Sequence, residues 1–450
     1  QIGRIAYVAD YSLLLGARLA ARKHGVPCYS MQFPGHCNVD LRRYIVLSNV
    51  WKPFSFKMLA AWPSCRELCL EPERVREVAD DLIVRMGARG AHIYSPAKSV
   101  AGEDVRSRLG LAHNRRLLVA FTSSLDEVLA SRVMVEALGL SIPDRPQPFS
   151  DQIEWLKTVT AYVEQSDDLS LVVRVHPREG VNKRESVVSQ HLARLKEAFG
   201  GAYVHCRFVW PEDATSSYDL GEAADLVLTS WSTIGLEMAR MGAPVLVAFN
   251  GGGAAIPWDD FLEWAPTADE YLETMRRLLD RAVSLSQVAR AFRWYNLHTL
   301  GTSVDLTDLV PRADFAGLPP YKTPREAATI ERMFIDGKDI CEINIERLQA
   351  SQKADSLERE SAELRYQLAR LIHFLMTGEI PTEIPPLSLV APGETPAQFP
   401  AILLDGAEIE YWPSAVETNG RPLRRRSPMV ARLATLCGEV ERLITGVRSL

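Results

Sequence analysis

Short apolar runs rich in Val, Leu and Ile alternate along the chain with segments of helical period. Strands are expected at Ile5–Ala9, Cys28–Gln32 and Tyr44–Leu47, with a helix at Leu13–Lys23 closed by Gly25 and the loop FPGHCNVD before the third strand. A second series opens after RLGL at 108–111 with a strand at Arg116–Phe121 and the turn TSSLDE. A Pro-rich loop at 141–151, a helix at about 152–165 and a strand at Leu169–Val175 ending in RVHPREG come next. They are followed by a helix at 185–199, a strand near Val204–Val209 and a helix at 217–224. Strands alternating with helices of this length predict parallel, doubly wound sheets.

The most informative stretch is TSWSTIGLEMARMGAPVLV at 229–247, which follows a run from Ala224 to Leu228. Leu226–Leu228 reads as a buried parallel strand, and Ile234, Leu236, Met238, Ala239 and Met241 carry helical spacing up to Gly242. Gly242 suits a helix C-terminus, Pro244 stops the helix, and Val245–Phe249 is the next strand. In such a βαβ unit, Ser230, Ser232 and Thr233 stand at the carboxyl edge of the sheet, where α/β proteins bind ligands and where a phosphate would fit. The alternative role for Ser230 or Ser232 is to cap the helix. The run LVVRVHPREG brings Arg174, His176 and Arg178 to the same edge, and Pro177 disfavours helical geometry at His176. Guanidinium and imidazole groups there suit a phosphorylated ligand. Arg174, flanked by Val173 and Val175, has an alternative role as partner of a carboxylate.

The composition changes the picture only by exclusion. With 450 residues the chain is too long for one core, and 47% hydrophobic with 24% charged residues is ordinary for a globular protein. A net charge of −6 disfavours a general nucleic-acid binder. No apolar stretch reaches the roughly 18–20 residues of a membrane span. The seven cysteines (Cys28, Cys37, Cys65, Cys69, Cys206, Cys341 and Cys437) are scattered and fit reduced thiols. Cys65 and Cys69 sit one helical turn apart, but no second pair completes a zinc site, so packing is their expected role. The chain starts with Gln1 shortly before a core strand, so it is expected to be the later part of a longer protein, with localisation signals elsewhere. A dinucleotide-dependent oxidoreductase is excluded because no G-x-G-x-x-G follows a strand; GGG at 251–253 runs into Ile256-Pro257-Trp258.

Beyond residue 315 the texture changes. LPPYKTP at 318–324 reads as a linker, and the helix after it has Leu357, Leu364 and Leu371 seven apart, with Leu368 and Leu375 interleaved. That stripe either packs on the protein's own body or forms a homodimer. Residues 380–400 are expected to be irregular, and RPLRRR at 421–426 is either a solvated face or a contact with an anionic membrane surface.

These residues carry a family resemblance. The HP turn in RVHPREG and the segment PEDATSSYDLGEAADLVLTSWSTIGLEMARMGAPV (211–245), with weaker support from AFTSSLDE (120–127), resemble the nucleotide-binding domain of GT-B glycosyltransferases of bacterial capsule and lipopolysaccharide synthesis, the Kdo transferases among them. The likeness covers about 110–310 well, 1–100 loosely and the tail not at all. It implies an α/β fold of two Rossmann-like doubly wound domains with a mainly helical C-terminal extension: 1–110 on the acceptor side, 111–315 for the donor, 316–450 as linker and extension. It implies a nucleotide-sugar donor, such as a CMP-Kdo-like one, a glycan or glycolipid acceptor, no cofactor and no metal. It places the protein in the cytoplasm at the inner face of the membrane. His176 and the 230–233 turn would hold the phosphate, Arg174 and Arg178 would assist, Glu237 would bind a ribose, and Ser123 and Ser124 would line the cleft entrance. The catalytic group is expected partly from the first domain, with Asp10, His36 and Asp40 as candidates for base or nucleophile, and Asp126 and Glu127 of the second domain are further ones. Each has an ordinary alternative, a helix cap for Asp10 and a turn residue for Asp40. A CDP-glycerol-dependent glycerophosphotransferase shows a related pattern, and a non-catalytic scaffold in a polysaccharide assembly complex is the reading from another class.

Overall fold

The computed structural model describes residues 5–8, 13–32, 43–47, 54–89, 93–99, 104–126, 129, 133, 136–137, 146–182, 186–249, 257, 260–301, 303–305, 332, 338, 340–379 and 427–448. The chain opens with β1 (Ile5–Val8), α1 (Leu13–Lys23), β2 (Cys28–Gln32) and β3 (Arg43–Leu47). Gly25 ends α1 at φ +64, where the Val26 N–H turns back to the Ala21 carbonyl at 2.9 Å. β1 and β2 pair in parallel, and β2 and β3 are antiparallel. α2 (Phe54–Cys65), α3 (Pro72–Met86) and the short α4 (Val105–Arg108) lead to the second sheet.

That sheet contains β4 (Arg116–Phe121), β5 (Leu169–Arg174), β6 (Cys206–Val209), β7 (Leu226–Thr229), β8 (Val245–Val247) and β9 (Glu263–Trp264). The strands are all parallel, in the order β6-β5-β4-β7-β8-β9. The intervening helices are α5 (Gln152–Glu164), α6 (Gln190–Phe199), α7 (Ser217–Ala223) and α8 (Ile234–Arg240), and α9 (Ala268–Asp280) follows the last strand. The doubly wound α/β organisation expected from the sequence is therefore present in this region. The first sheet is mixed rather than all-parallel. After α10 (Leu285–Tyr295) and a π turn at Asn296–Leu300, β10 (Ser303–Asp305) pairs antiparallel with β3, Val304 opposite Tyr44. Residues 303–305, assigned to the second domain on the sequence, thus close the first sheet.

Alternation along each strand divides the core in two. Leu118, Ala120, Leu171, Val173, Leu226 and Leu228 face α5, α6 and α9, packing on Trp155, Leu195 and Met275. Leu117, Val119, Phe121, Val172, Val227 and Val245 face the other way. This second layer contains α3, α7, α8 and α10, together with α11 (Ile340–Ser351), α12 (Ser356–Thr377) and α13 (Pro428–Arg448). Leu364, Leu368, Leu371 and Leu375 are buried in it. The leucine stripe read as a candidate dimer seam therefore packs on the chain's own body, and of that set only Leu357 is an exposed position. Cys28, Cys65, Cys69, Cys206, Cys341 and Cys437 are buried thiols outside any disulfide, and burial pushes those of Cys65 and Cys69 up to about 11, as packing residues require.

The α12 helix is held by charge as well as by leucines. Glu360 accepts from the Arg293 guanidinium at 3.0 Å and from the Leu70 backbone at 2.7 Å, with Glu360 and Arg293 only 3% and 7% exposed. Arg370 donates to buried Asp80 of α3 at 2.8 Å. Glu360→Ala removes the buried carboxylate that pairs with the Arg293 guanidinium and should cost about 3–5 kcal/mol. Urea denaturation checks this, with Glu360→Gln, which still accepts hydrogen bonds, expected to lose less.

Candidate functional site

β4 is flanked by β5 on one side and β7 on the other, and the chain reverses its winding direction between them, so a crevice opens at their carboxyl ends. Three segments meet there: Thr122–Asp126 after β4, His176–Arg178 after β5 and Ser230–Thr233 after β7. Sheet topology brings these sequence-predicted residues together, but it does not make all of them available to a ligand.

Ser230 is fully buried and its hydroxyl donates to the Ser123 hydroxyl at 2.7 Å, tying the β4 and β7 loops together. Ser123 also accepts the Trp231 N–H at 3.3 Å, while the Gln152 amide grips the Ser123 backbone with one bond at 2.8 Å and one at 2.9 Å. Ser123 and Ser230 are thus internal fasteners of the crevice rather than its lining, and Gln152 is a contributor the sequence reading missed. Ser232 is part-exposed and Thr233 exposed. Neither hydroxyl caps α8: Thr233 occupies the cap position in helical geometry with no side-chain capping bond, and the Ser232 N–H donates to Thr229 Oγ1 at 3.2 Å. A side chain at Gly235 would bring its Cβ within 2.8 Å of Thr229, so this turn requires the small residue.

Glu237 lies away from the crevice. It is 5% exposed, accepts the Tyr218 hydroxyl at 2.7 Å and receives Arg85 at 3.3 Å. Arg85 also holds Asp81 at 2.8 Å, and Asp81 takes the buried Arg240 guanidinium at 3.1 Å, which lies 3.9 Å over the Tyr295 ring. Glu237, expected to bind a ribose, anchors α8 to α3 and α7, and both of its carboxylate oxygens have protein partners.

Arg174 is 2% exposed and donates to the Trp210 carbonyl at 2.5 Å. Burial pulls its guanidinium down to about 10, opposed by Asp213 and Glu212. Its place is under the β6 loop, not at the surface. His176 is part-exposed; its backbone N–H donates to Thr122 Oγ1 at 2.8 Å and its Nδ1 accepts the Arg178 N–H at 3.2 Å. Accepting at Nδ1 assigns the ring proton to Nε2 in the neutral form. Desolvation first, then Arg178 and Arg174, push the imidazole down to about 4, against the pull of Asp126. His176 is therefore a neutral hydrogen-bond donor at pH 7. The Arg178 guanidinium reaches Asp126 at 3.0 Å, and Ser124, itself buried, donates its hydroxyl to the other oxygen of Asp126.

Asp10, His36 and Asp40 lie outside the described residues, as do Glu127, GGG 251–253 and RPLRRR. Among the described residues, no group of three or more His, Cys, Asp or Glu side chains could hold a metal ion, and no helix is long and apolar enough to cross a membrane.

No protein-family model matches this sequence, and no curated protein matches it. Solved structures similar to it include the Thermosulfurimonas dismutans KpsC beta Kdo 2,4 transferase, at 15% identity and a TM-score of 0.36 over 64% of this chain and 78% of that one. Another is the S. aureus MnaA–UDP co-structure, at 12% identity and a TM-score of 0.32, over 65% of this chain and 71% of that one. The wall teichoic acid polymerase TagF is similar at 12% identity and a TM-score of 0.27, over 54% of this chain and 46% of its own.

Two measurements follow from the site. The His176 pKa is about 4 in the folded chain against the ordinary 6.5. Between those values the unfolded chain binds a proton that the folded one refuses, so stability should fall as pH drops from 6.5 to 4 and be fully present above 6.5. His176→Asn keeps an acceptor for the Arg178 N–H and should flatten part of that slope, with His298, also pushed down to about 4 by burial, and His191, also lowered by burial, among the groups that keep the rest; melting temperature against pH checks it. Glu237→Ala should lower stability by about 2–4 kcal/mol, because it removes the buried acceptor shared by the Tyr218 hydroxyl and the Arg85 guanidinium. Denaturant unfolding of that variant is the check.

Proposed function

We propose that this chain is a GT-B-type glycosyltransferase that moves a sugar from a nucleotide-activated donor to a growing bacterial surface polysaccharide or glycolipid. The observation that carries the reading is the meeting of His176, Arg178 and the Ser232–Thr233 turn at the crevice where the parallel sheet reverses its winding. A nucleotide phosphate at that edge meets a neutral Nε2–H from His176, the cation of Arg178 and the hydroxyls of Ser232 and Thr233. In the reaction the bond from the sugar's anomeric carbon to the donor phosphate breaks, a bond to the acceptor oxygen forms, and the acceptor's proton passes to a base. Charge that builds on the departing phosphate is met by these donors, which is where electrostatic stabilisation is most effective. Asp10, His36 and Asp40 are the residues proposed for the base. A CMP-linked, Kdo-like donor suits the sequence resemblance, and the inner face of the membrane, contacted by RPLRRR, suits a lipid-borne acceptor.

Calorimetric titration with CMP, CDP, UDP and GDP tests the donor site; binding to at least one is expected, and binding to none overturns the reading. A mass-spectrometric donor screen containing a CMP-linked sugar and CDP-glycerol then separates sugar transfer from glycerophosphate transfer. Replacing Ser232 and Thr233 together by Ala should weaken the nucleotide that binds by about 1–3 kcal/mol, since the backbone donors remain. The melting temperature without nucleotide should stay near wild type, because neither hydroxyl caps the helix.

A further inference from the structure

At the mouth of the crevice, the Asp126 carboxylate lies between the Arg178 guanidinium, 3.0 Å away, and the buried Ser124 hydroxyl. The three groups differ in exposure. Ser124 is 1% exposed, Arg178 has only 17% of its side chain in water, and Asp126 has 63%. Arg178 is fixed from behind, its backbone N–H on His176 Nδ1, and the turn carrying Asp126 is fixed at Leu125, whose N–H donates to buried Glu179 at 3.0 Å. Cation and hydroxyl are set into the protein, and the carboxylate bonded to both is the one that stands mostly in solvent.

We propose that Arg178 and Ser124 form an anion seat which Asp126 occupies in the free protein, and that a phosphate group of the ligand takes the seat by displacing the Asp126 side chain. Asp126 is then a built-in competitor that sets affinity and rejects weakly charged ligands, not a base. A singly charged carboxylate in a partly exposed pair is a weak occupant. A phosphate, with more charge and three acceptor oxygens, displaces it, whereas a neutral sugar does not. The inference rests on the donor-site reading above and adds how the phosphate enters.

The test is titration of the full chain with pyrophosphate and with the nucleotide that binds wild type, for Asp126→Asn, Arg178→Gln and the double variant. Asp126→Asn keeps a side chain of the same shape and should bind both probes about three- to tenfold more tightly. Arg178→Gln should bind more weakly, and in the double variant the gain from Asp126→Asn should vanish, because the seat has lost its cation. If Asp126→Asn binds as wild type or more weakly, or if the gain persists without Arg178, the competitor role is overturned. Should Asp126→Asn abolish turnover at unchanged affinity, Asp126 is a catalytic group and the proposal is likewise overturned. Absence of any nucleotide or pyrophosphate binding by wild type removes the donor-site reading itself and this inference with it.

Discussion

A parallel sheet with apolar residues on both sides has no face it can leave in water, and the rest of this molecule is arranged around that constraint. One face of the six-stranded sheet is covered by the crossover helices α5 and α6 and by α9, which follows the last strand. The opposite face needs more than its own crossovers α7 and α8, and is completed by α3 from before the sheet and by α10, α12 and α13 from after it. Residues 340–377 and 427–448 are thus part of the fold's body rather than an appendage.

Covering the sheet from such distant parts of the chain brings charge into the interior. Asp80, Asp81, Glu237, Arg240, Arg293, Glu360 and Arg370 are each less than 9% exposed, and they are paired across helices: Asp80 with Arg370, Asp81 with Arg240, Glu360 with Arg293. Buried pairs of this kind add little net stability over apolar packing, but losing one partner is costly. They act as register marks that hold α3, α8, α10 and α12 in one arrangement. The network through Asp81, Arg240, Arg85 and Glu237 has a functional bearing, because α8 follows directly from the Ser232–Thr233 turn. A rigid α8 gives the crevice a rigid wall.

On the other side of that crevice, order is set by neutral hydrogen bonds. Thr122 holds the His176 backbone, Ser123 holds Ser230 and Trp231, and Gln152 holds Ser123. The loops after three strands are thereby fastened to one another beneath the surface, leaving His176, Arg178, Ser232, Thr233 and Asp126 in the outer layer. Ligand-facing groups on such a braced base lose little conformational freedom on binding.

The sequence by itself determined the strands of the second sheet and most of its helices, because these are local: apolar runs bounded by turns at 116–121, 169–174 and 226–229, and a C-terminal glycine at Gly242, found at φ +71. It also determined which segments reach the carboxyl edge, since every strand of a parallel sheet points the same way. α3 escaped notice because Glu77, Asp80 and Asp81 interrupt its apolar pattern, and Arg240 and Arg370, which pair with Asp81 and Asp80, lie 159 and 290 residues away. Only the tertiary structure decided what the hydroxyls and charges at the edge are for. Ser123 and Ser230, each an ordinary turn serine in its own segment, satisfy one another across 107 residues. Glu237, one helical turn from the crevice, faces inward because α3 brings Arg85 to it. A side chain's partner is chosen by which strands and helices become neighbours, and no local pattern records that choice.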